Sequence, residues 1–260
     1  MRVTLIGSGN VATHLGAALK NAGHYIVQVY SPNAHNAALL AYHIKAEPVS
    51  DLQQINPDTD LFIISIKDDA IDEVAAAIAI HQRAIVHTSG ATALQVLLNY
   101  TDRAGVFYPL QTFSKTREVD FRQVPMCIEG AYEDLAAELQ QLAQTISNNV
   151  QLINSEQRKI LHLAAVFACN FPNYLYHASQ QLLAGHGLNF NLLRPLIVET
   201  AQKVEHQLPA NLQTGPAVRN DNKTMSAHMQ LLQDDDMLRN IYAVLSQAII
   251  KMEQGKHRVE

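Results

Sequence analysis

Arg2-Val3-Thr4-Leu5-Ile6-Gly7-Ser8-Gly9-Asn10-Val11-Ala12 stands near the start of the chain, and Tyr25-Ile26-Val27-Gln28-Val29-Tyr30 follows one helical stretch later. An apolar run, a glycine turn, a helical pattern (Val11, Leu15, Ala18, Leu19) closed by Gly23, and a second apolar run spell strand, turn, helix, strand. Each small residue answers a physical need. Gly7 permits the tight turn out of the strand. Gly9 lets the backbone come close to a pyrophosphate, and Ala12, in the third small position, lets the helix lie close on the strand. Phosphate oxygens would meet unpaired N–H groups and the positive end of the helix dipole. A glycine turn that directly follows a strand and opens a helix is the context expected of a dinucleotide cradle. Gly7, Ser8, Gly9, Asn10, Val11 and Ala12 are therefore expected to bind the cofactor.

The end of the second strand selects the dinucleotide. In NAD enzymes an acid about 20 residues past the glycines holds the adenosine ribose. Here no Asp or Glu precedes Glu47, and the loop reads Tyr30-Ser31-Pro32-Asn33-Ala34-His35-Asn36. No carboxylate repels a 2′-phosphate, and Ser31, Asn33 and His35 can donate hydrogen bonds to one. NADP is favoured over NAD, although the loop lacks an arginine. The alternative is a polar loop that caps a helix over 33–42.

Further along, a short strand is expected over 44–49. Leu61-Phe62-Ile63-Ile64-Ser65-Ile66 is a near-continuous apolar run, as in a parallel strand buried on both faces. Strands are also expected at 84–87 and 105–108, and strands at 124–128 and 150–153 flank a helix over 132–147. Strands alternating with helices predict an α/β fold: an N-terminal Rossmann domain over 1–153 with a doubly wound, mainly parallel sheet. Ligands bind such sheets beyond the carboxyl ends of the strands. Three segments fall there and should line one crevice with the glycine turn. Ser65, Ile66, Lys67, Thr88, Ser89 and Gly90 are expected beneath the ribose and nicotinamide. Tyr108-Pro109-Leu110-Gln111-Thr112-Phe113 forms a substrate wall, unless Pro109 simply ends a strand.

After Ile153 helical patterns replace strands, which predicts an all-α domain over 154–260. Ser155 can cap a helix running to about Ala184, kinked at Pro172. Helices follow over 191–207, from Thr224 to Gln233, and from 234–236 through Ile250; the tail 255–260 should fray. Long apolar helices in so small a domain predict a homodimer formed through the C-terminal helices.

The net charge is −5, which argues against nucleic acid or an anionic membrane surface as partner. Cys127 and Cys169 lie in apolar contexts without metal spacing and suggest buried thiols in a reducing compartment. No run is long and apolar enough to span a bilayer, and a strand from residue 2 leaves no room for a leader. A cytoplasmic protein with a small-molecule substrate and no metal is expected.

An N-terminal Rossmann domain followed by helices resembles the 6-phosphogluconate and β-hydroxyacid dehydrogenase superfamily, whose plan pyrroline-5-carboxylate and ketopantoate reductases share. The chain looks closer to a family of short bacterial Rossmann-like proteins with a C-terminal domain of unknown function, labelled NADP oxidoreductases. The carriers are 7–12, His87-Thr88-Ser89-Gly90, 109–113, His162 to Asn170, and Thr214-Gly215-Pro216 with Arg219, Asp221, Thr224 and His228. β-Hydroxyacid dehydrogenases carry a Lys four residues before a substrate-holding Asn. Asn170 fits the Asn position, but Val166 stands where the Lys would be. His162, two helical turns before Asn170, could face the same side and donate the proton; alternatively it packs locally. An Asp221–His228 pair would stabilise an imidazolium, and Arg219 could clamp a carboxylate; alternatively the three form a structural cap or a dimer contact.

These residues give the expected function: an NADP(H)-dependent oxidoreductase moving a hydride to or from a small carbonyl, imine or hydroxy compound in the interdomain cleft. His162, Asn170, Arg219, Asp221 and His228 are its catalytic candidates. The alternative is a non-catalytic nucleotide-binding sensor or interaction protein, to which the missing Lys points. A different nucleotide or a flavin-like partner is a third possibility.

Overall fold

The computed structural model describes residues 1–256. The chain divides into two compact units, Met1–Asn170 and Phe171–Glu260. That division falls later than a boundary at 153/154, because the helix starting at Ser155 is tied to the sheet (below).

The first unit holds eight strands: β1 (Arg2–Ile6), β2 (Tyr25–Tyr30), β3 (Glu47–Val49), β4 (Leu61–Ile64), β5 (Ala84–His87), β6 (Ala104–Pro109), β7 (Met126–Gly130) and β8 (Val150–Leu152). They form one sheet in the order β3-β2-β1-β4-β5-β6-β7-β8. Every neighbouring pair is parallel except β6 with β7. This is the doubly wound, mainly parallel α/β sheet expected, with the strand order reversing between β1 and β4. One face is covered by α1 (Asn10–Asn21), α2 (Ala34–Ile44) and, after α3 (Ile71–Ile78) and α4 (Gln95–Leu98), by α5 (Glu133–Gln144). The other carries α3 and α4. Alternate residues of each strand feed the two cores: Leu5, Ile63 and Val86 point to one, Ile6, Ile64 and Ile85 to the other.

Several boundaries differ from the pattern in the sequence. Ile44 ends α2 rather than opening a strand, because Lys45 adopts a left-handed C-cap that stops the helix. Asn154, not Ser155, caps α6 (Ser155–Ala165), forming a reciprocal capping box with Gln157. Ser155 is spared for other bonds. The helix expected to run to Ala184 is interrupted: a π-helical turn, Val166–Asn170, follows α6, and α7 (Phe171–Ala184) begins after it. Pro172 is the second residue of α7. The widened turn just before it accommodates the missing N–H and the ring, where a simple kink was expected.

The second unit is helical among its described residues. It contains α7, α8 (Arg194–Lys203), α9 (Pro209–Leu212), α10 (Asn222–Leu231) and α11 (Asp236–Lys256). Asp221, not Thr224, caps α10: its carboxylate accepts from the Thr224 N–H at 3.1 Å and from the Thr224 hydroxyl at 2.8 Å. The last helix continues through residues 255 and 256 of the expected frayed tail; 257–260 lie outside the described residues. No helix among the described residues is long and apolar enough to cross a membrane. Cys127 is buried, whereas Cys169, on the π-helical turn, is exposed.

Candidate functional site

Strands β1, β4, β5 and β6 are parallel neighbours, so the turns after them leave one edge of the sheet. Gly7 has φ +126°, and a Cβ there would stand 2.2 Å from the Ser65 carbonyl oxygen. Only glycine lets the first turn lie against the second. Above Gly9 the space is open. Helix α1 begins without a side-chain cap and without an acid in its first turn. Thr13 is the first residue whose N–H finds a helical acceptor, the Gly9 carbonyl at 3.0 Å. The N–H groups of Asn10, Val11 and Ala12 have no acceptor among the described residues. Three free donors on an open approach with no acid nearby fit a pair of phosphates. Ala12 is fully buried against the sheet, as close helix packing requires.

The ribose-side loop is partly committed. Ser31 is buried, and its Oγ accepts from Ser8 Oγ at 3.0 Å. Asn33 Oδ1 accepts from the Asn36 N–H and caps α2, which leaves the Asn33 amide NH₂ to donate. His35 is exposed. The first acid of the chain, Glu47, is engaged with Gln28 Nε2 at 3.1 Å. A reading as helix cap and a reading as 2′-phosphate donor are thus compatible at Asn33.

Beneath the edge, buried hydroxyls shape the turns. Thr88 Oγ1 donates toward the Ile64 carbonyl at 3.3 Å and Ser65 Oγ at 3.2 Å. Ser89 Oγ accepts from the N–H groups of Ala91 and Thr92. Ile66 packs on the core and Lys67 is exposed. His87, fully buried at the end of β5, accepts the Ser89 N–H on Nδ1 at 3.2 Å. Its Nε2 is buried without a partner in hydrogen-bonding geometry. Burial and then the Arg158 charge lower its pKa to about 4, although the Ala93 carbonyl favours the proton. His87 therefore stays neutral and structural at pH 7. Its folded pKa lies below the ordinary value of 6.5, so the unfolded chain binds more protons between the two values. The stability it confers is present above pH 6.5 and is lost as pH falls toward 4, by roughly 3 kcal/mol. Urea unfolding of the wild type and of His87→Phe at pH 7 and pH 4.5 checks this: the variant should lack that part of the pH slope.

The turn after β5 lies under a side-chain pair that joins β6 to α6. Tyr108, at the end of β6, places its hydroxyl 3.2 Å from His162 Nδ1. Gly90 lies directly beneath: a Cβ on it would be 2.6 Å from His162 Nδ1 and 2.9 Å from Tyr108 Cζ. Burial, then Cys127, push the phenol up to about 12, with Arg158 opposing. It keeps its proton at neutral pH and so is able to donate to Nδ1, an arrangement that would leave the imidazole proton on Nε2.

Arg158, four residues before His162 and so on the same face of α6, holds that helix down. Its side chain is fully buried. It is paired with Glu129 of β7, and it donates to the Thr92 carbonyl and to Ser155 Oγ. Glu129 also accepts from the Ser155 N–H at 2.9 Å and hydroxyl at 2.8 Å. Ser155 Oγ in turn accepts from the Leu94 N–H at 3.0 Å. Sequence reasoning overlooked this network. The available signal was an acid, Glu129, closing the apolar run Val124 to Ile128.

Of the remaining candidates, Asn170 lies on the π-helical turn and is exposed. The wider π-helical turn breaks the 3.6-residue phase between His162 and Asn170. Arg219, Asp221 and His228 belong to the second unit. Asp221 is held below the usual carboxylate range, first by the Thr224 N–H and hydroxyl bonds and also by Arg219 and His228. The hydrogen-bond partner of His228 Nδ1 is the Tyr242 hydroxyl at 2.9 Å rather than Asp221.

Residues 1–112 match the family described as a Rossmann-like domain, and residues 124–249 match the domain of unknown function DUF2520. Among solved structures, a Bacteroides fragilis protein described as a putative NADP oxidoreductase is 43% identical, with a TM-score of 0.91 over 96% of this chain and 98% of that one. A Thermotoga maritima protein is 21% identical, with a TM-score of 0.75 over 98% and 99% of the two chains. An imine reductase from Myxococcus stipitatus in complex with NADP+ is 13% identical, with a TM-score of 0.67 over 100% and 95%. The last two show likeness of fold alone. No curated protein sequence matches the chain.

Proposed function

The chain, a Rossmann-like domain joined to DUF2520, belongs to the family of the Bacteroides fragilis protein, and on that premise we propose an NADP(H)-dependent oxidoreductase. Its substrate is a small carbonyl, imine or hydroxy compound. When bound, the cofactor supplies or accepts the hydride. The chain supplies the rest. The free N–H groups of Asn10 to Ala12 bind phosphate. His162, its proton directed to Nε2 by Tyr108, exchanges a proton with the substrate oxygen or nitrogen as the hydride moves. The observation that carries the reading is the Tyr108–His162 pair seated on Gly90, at the sheet edge where the glycine turn also lies.

Asn170, Arg219, Asp221 and His228 are proposed as further substrate-side groups, Arg219 as a carboxylate clamp. A cytoplasmic homodimer is also proposed. The exposed Leu196, Val198, Leu231, Met237 and Val244 of α8, α10 and α11 support a partner on the helical unit.

The deciding experiment titrates the protein with NADPH and NADH by fluorescence, then screens it against small oxo acids and imines. Tighter binding of NADPH with turnover supports the enzyme. Binding without any turnover favours a nucleotide sensor, the reading that Val166 in place of the superfamily Lys supports. Binding of neither nucleotide removes the reading altogether.

A further inference from the structure

The loop between β6 and β7 crosses the start of α1 and is fastened there by three side chains. Asn10 Nδ2 donates to the Phe113 carbonyl, His14 Nε2 to the Ser114 carbonyl and Lys115 Nζ to the Ser8 carbonyl, each at 2.9 Å. The His14 ring stacks on Phe113 at 5.0 Å, and Phe113 stacks on Phe121 at 5.9 Å. The contacts of 113–115 thus fall on the glycine turn and the first two turns of α1. A groove of about 720 Å³ runs from this strap down α1, past His14 toward Asn21. It leads away from the glycine turn.

The glycine turn lacks a full positive charge of its own. No Lys or Arg stands between Arg2 and Lys20. A pyrophosphate brings two negative charges, which the three free N–H dipoles of α1 answer only in part. Lys115 is exposed, and its ammonium rests on one backbone carbonyl of the turn. Moving from that neutral acceptor to an anionic oxygen adds an opposite charge to the acceptor side and turns an ion–dipole hydrogen bond into an ion pair. Its four-carbon stem allows the short swing.

We infer that Lys115, carried over the glycine turn by the 113–115 strap, is a pyrophosphate-binding residue of the nucleotide site. The inference rests on the proposed nucleotide reading and adds to it a cation from outside the Rossmann motif. Because the pyrophosphate is common to NADPH and NADH, the effect is the same for both.

The test is fluorescence titration of the whole protein with NADPH and with NADH, for the wild type, Lys115→Met, Lys115→Arg and Arg117→Ala. Lys115→Met should weaken both nucleotides by a similar factor, about fivefold to tenfold. Lys115→Arg should recover most of the loss. Arg117→Ala, an exposed cation of the same loop, should change neither. Three results overturn the inference: no change in Lys115→Met, a loss confined to NADPH (which places the charge on the 2′-phosphate), or an equal loss in Arg117→Ala (which reduces it to general charge). If the wild type binds neither nucleotide, the nucleotide reading itself has failed and the inference falls with it. Wild-type binding with an unchanged Lys115→Met sinks the inference alone.

Discussion

Glu129→Ala should unfold at a much lower urea concentration than the wild type, with a loss of about 3–5 kcal/mol. The reason lies in what remains behind. Arg158 is fully buried and Glu129 is 15% exposed. Removing the carboxylate leaves a guanidinium with only the Thr92 carbonyl and the Ser155 hydroxyl as acceptors, and its Nε already lacks a partner. A buried charge without a counter-charge costs far more than the pair gains over an apolar substitute. The double variant Glu129→Leu with Arg158→Met should therefore lose much less than Glu129→Ala alone. Urea unfolding followed by circular dichroism measures both. A single variant within about 1 kcal/mol of the wild type would mean that water reaches the guanidinium.

His162→Ala should lower turnover about 10²–10⁴-fold, the usual worth of a positioned proton donor, and leave the NADPH dissociation constant within about twofold. Tyr108→Phe removes only the hydroxyl that directs the imidazole proton. Its expected loss is about tenfold, smaller than that of His162→Ala. Because the phenol acts through the imidazole, the double variant should be no slower than His162→Ala alone. Additive losses would instead give Tyr108 an independent contact with substrate. Steady-state rates with whichever oxo acid or imine the wild type turns over, beside NADPH titrations, separate these outcomes.

The Rossmann half was legible because its signals are local. An apolar run buried on both faces and a glycine turn at a strand end state their roles within a few residues. At the start of α6 the boundary slipped because contacts distant in sequence had taken a residue away. Ser155 looks like an N-cap, but its hydroxyl serves Glu129 and Leu94, and Asn154 caps instead. His162 was legible as a titratable group. Its partner Tyr108 and the need for Gly90 were not, since three separate elements meet there only in the folded sheet. The pairing of Asp221 with His228 rested on spacing alone. The carboxylate accepts from the Thr224 N–H and the imidazole bonds Tyr242, while the His228 charge still acts on Asp221.

The antiparallel pairing of β6 with β7 bears on how such a chain can be recombined. Residues 126–152 supply the last two strands of the sheet, yet in sequence they travel with the helices that follow. A chimera joining residues 1–112 to a foreign helical half would strip β6 of its partner and open the edge at Val106 and Phe107, a ready template for aggregation. Crossovers placed after Asn170 keep β7, β8 and the Glu129–Arg158 staple with the strands they complete. Grafts of new helical halves onto this Rossmann scaffold should therefore be spliced there.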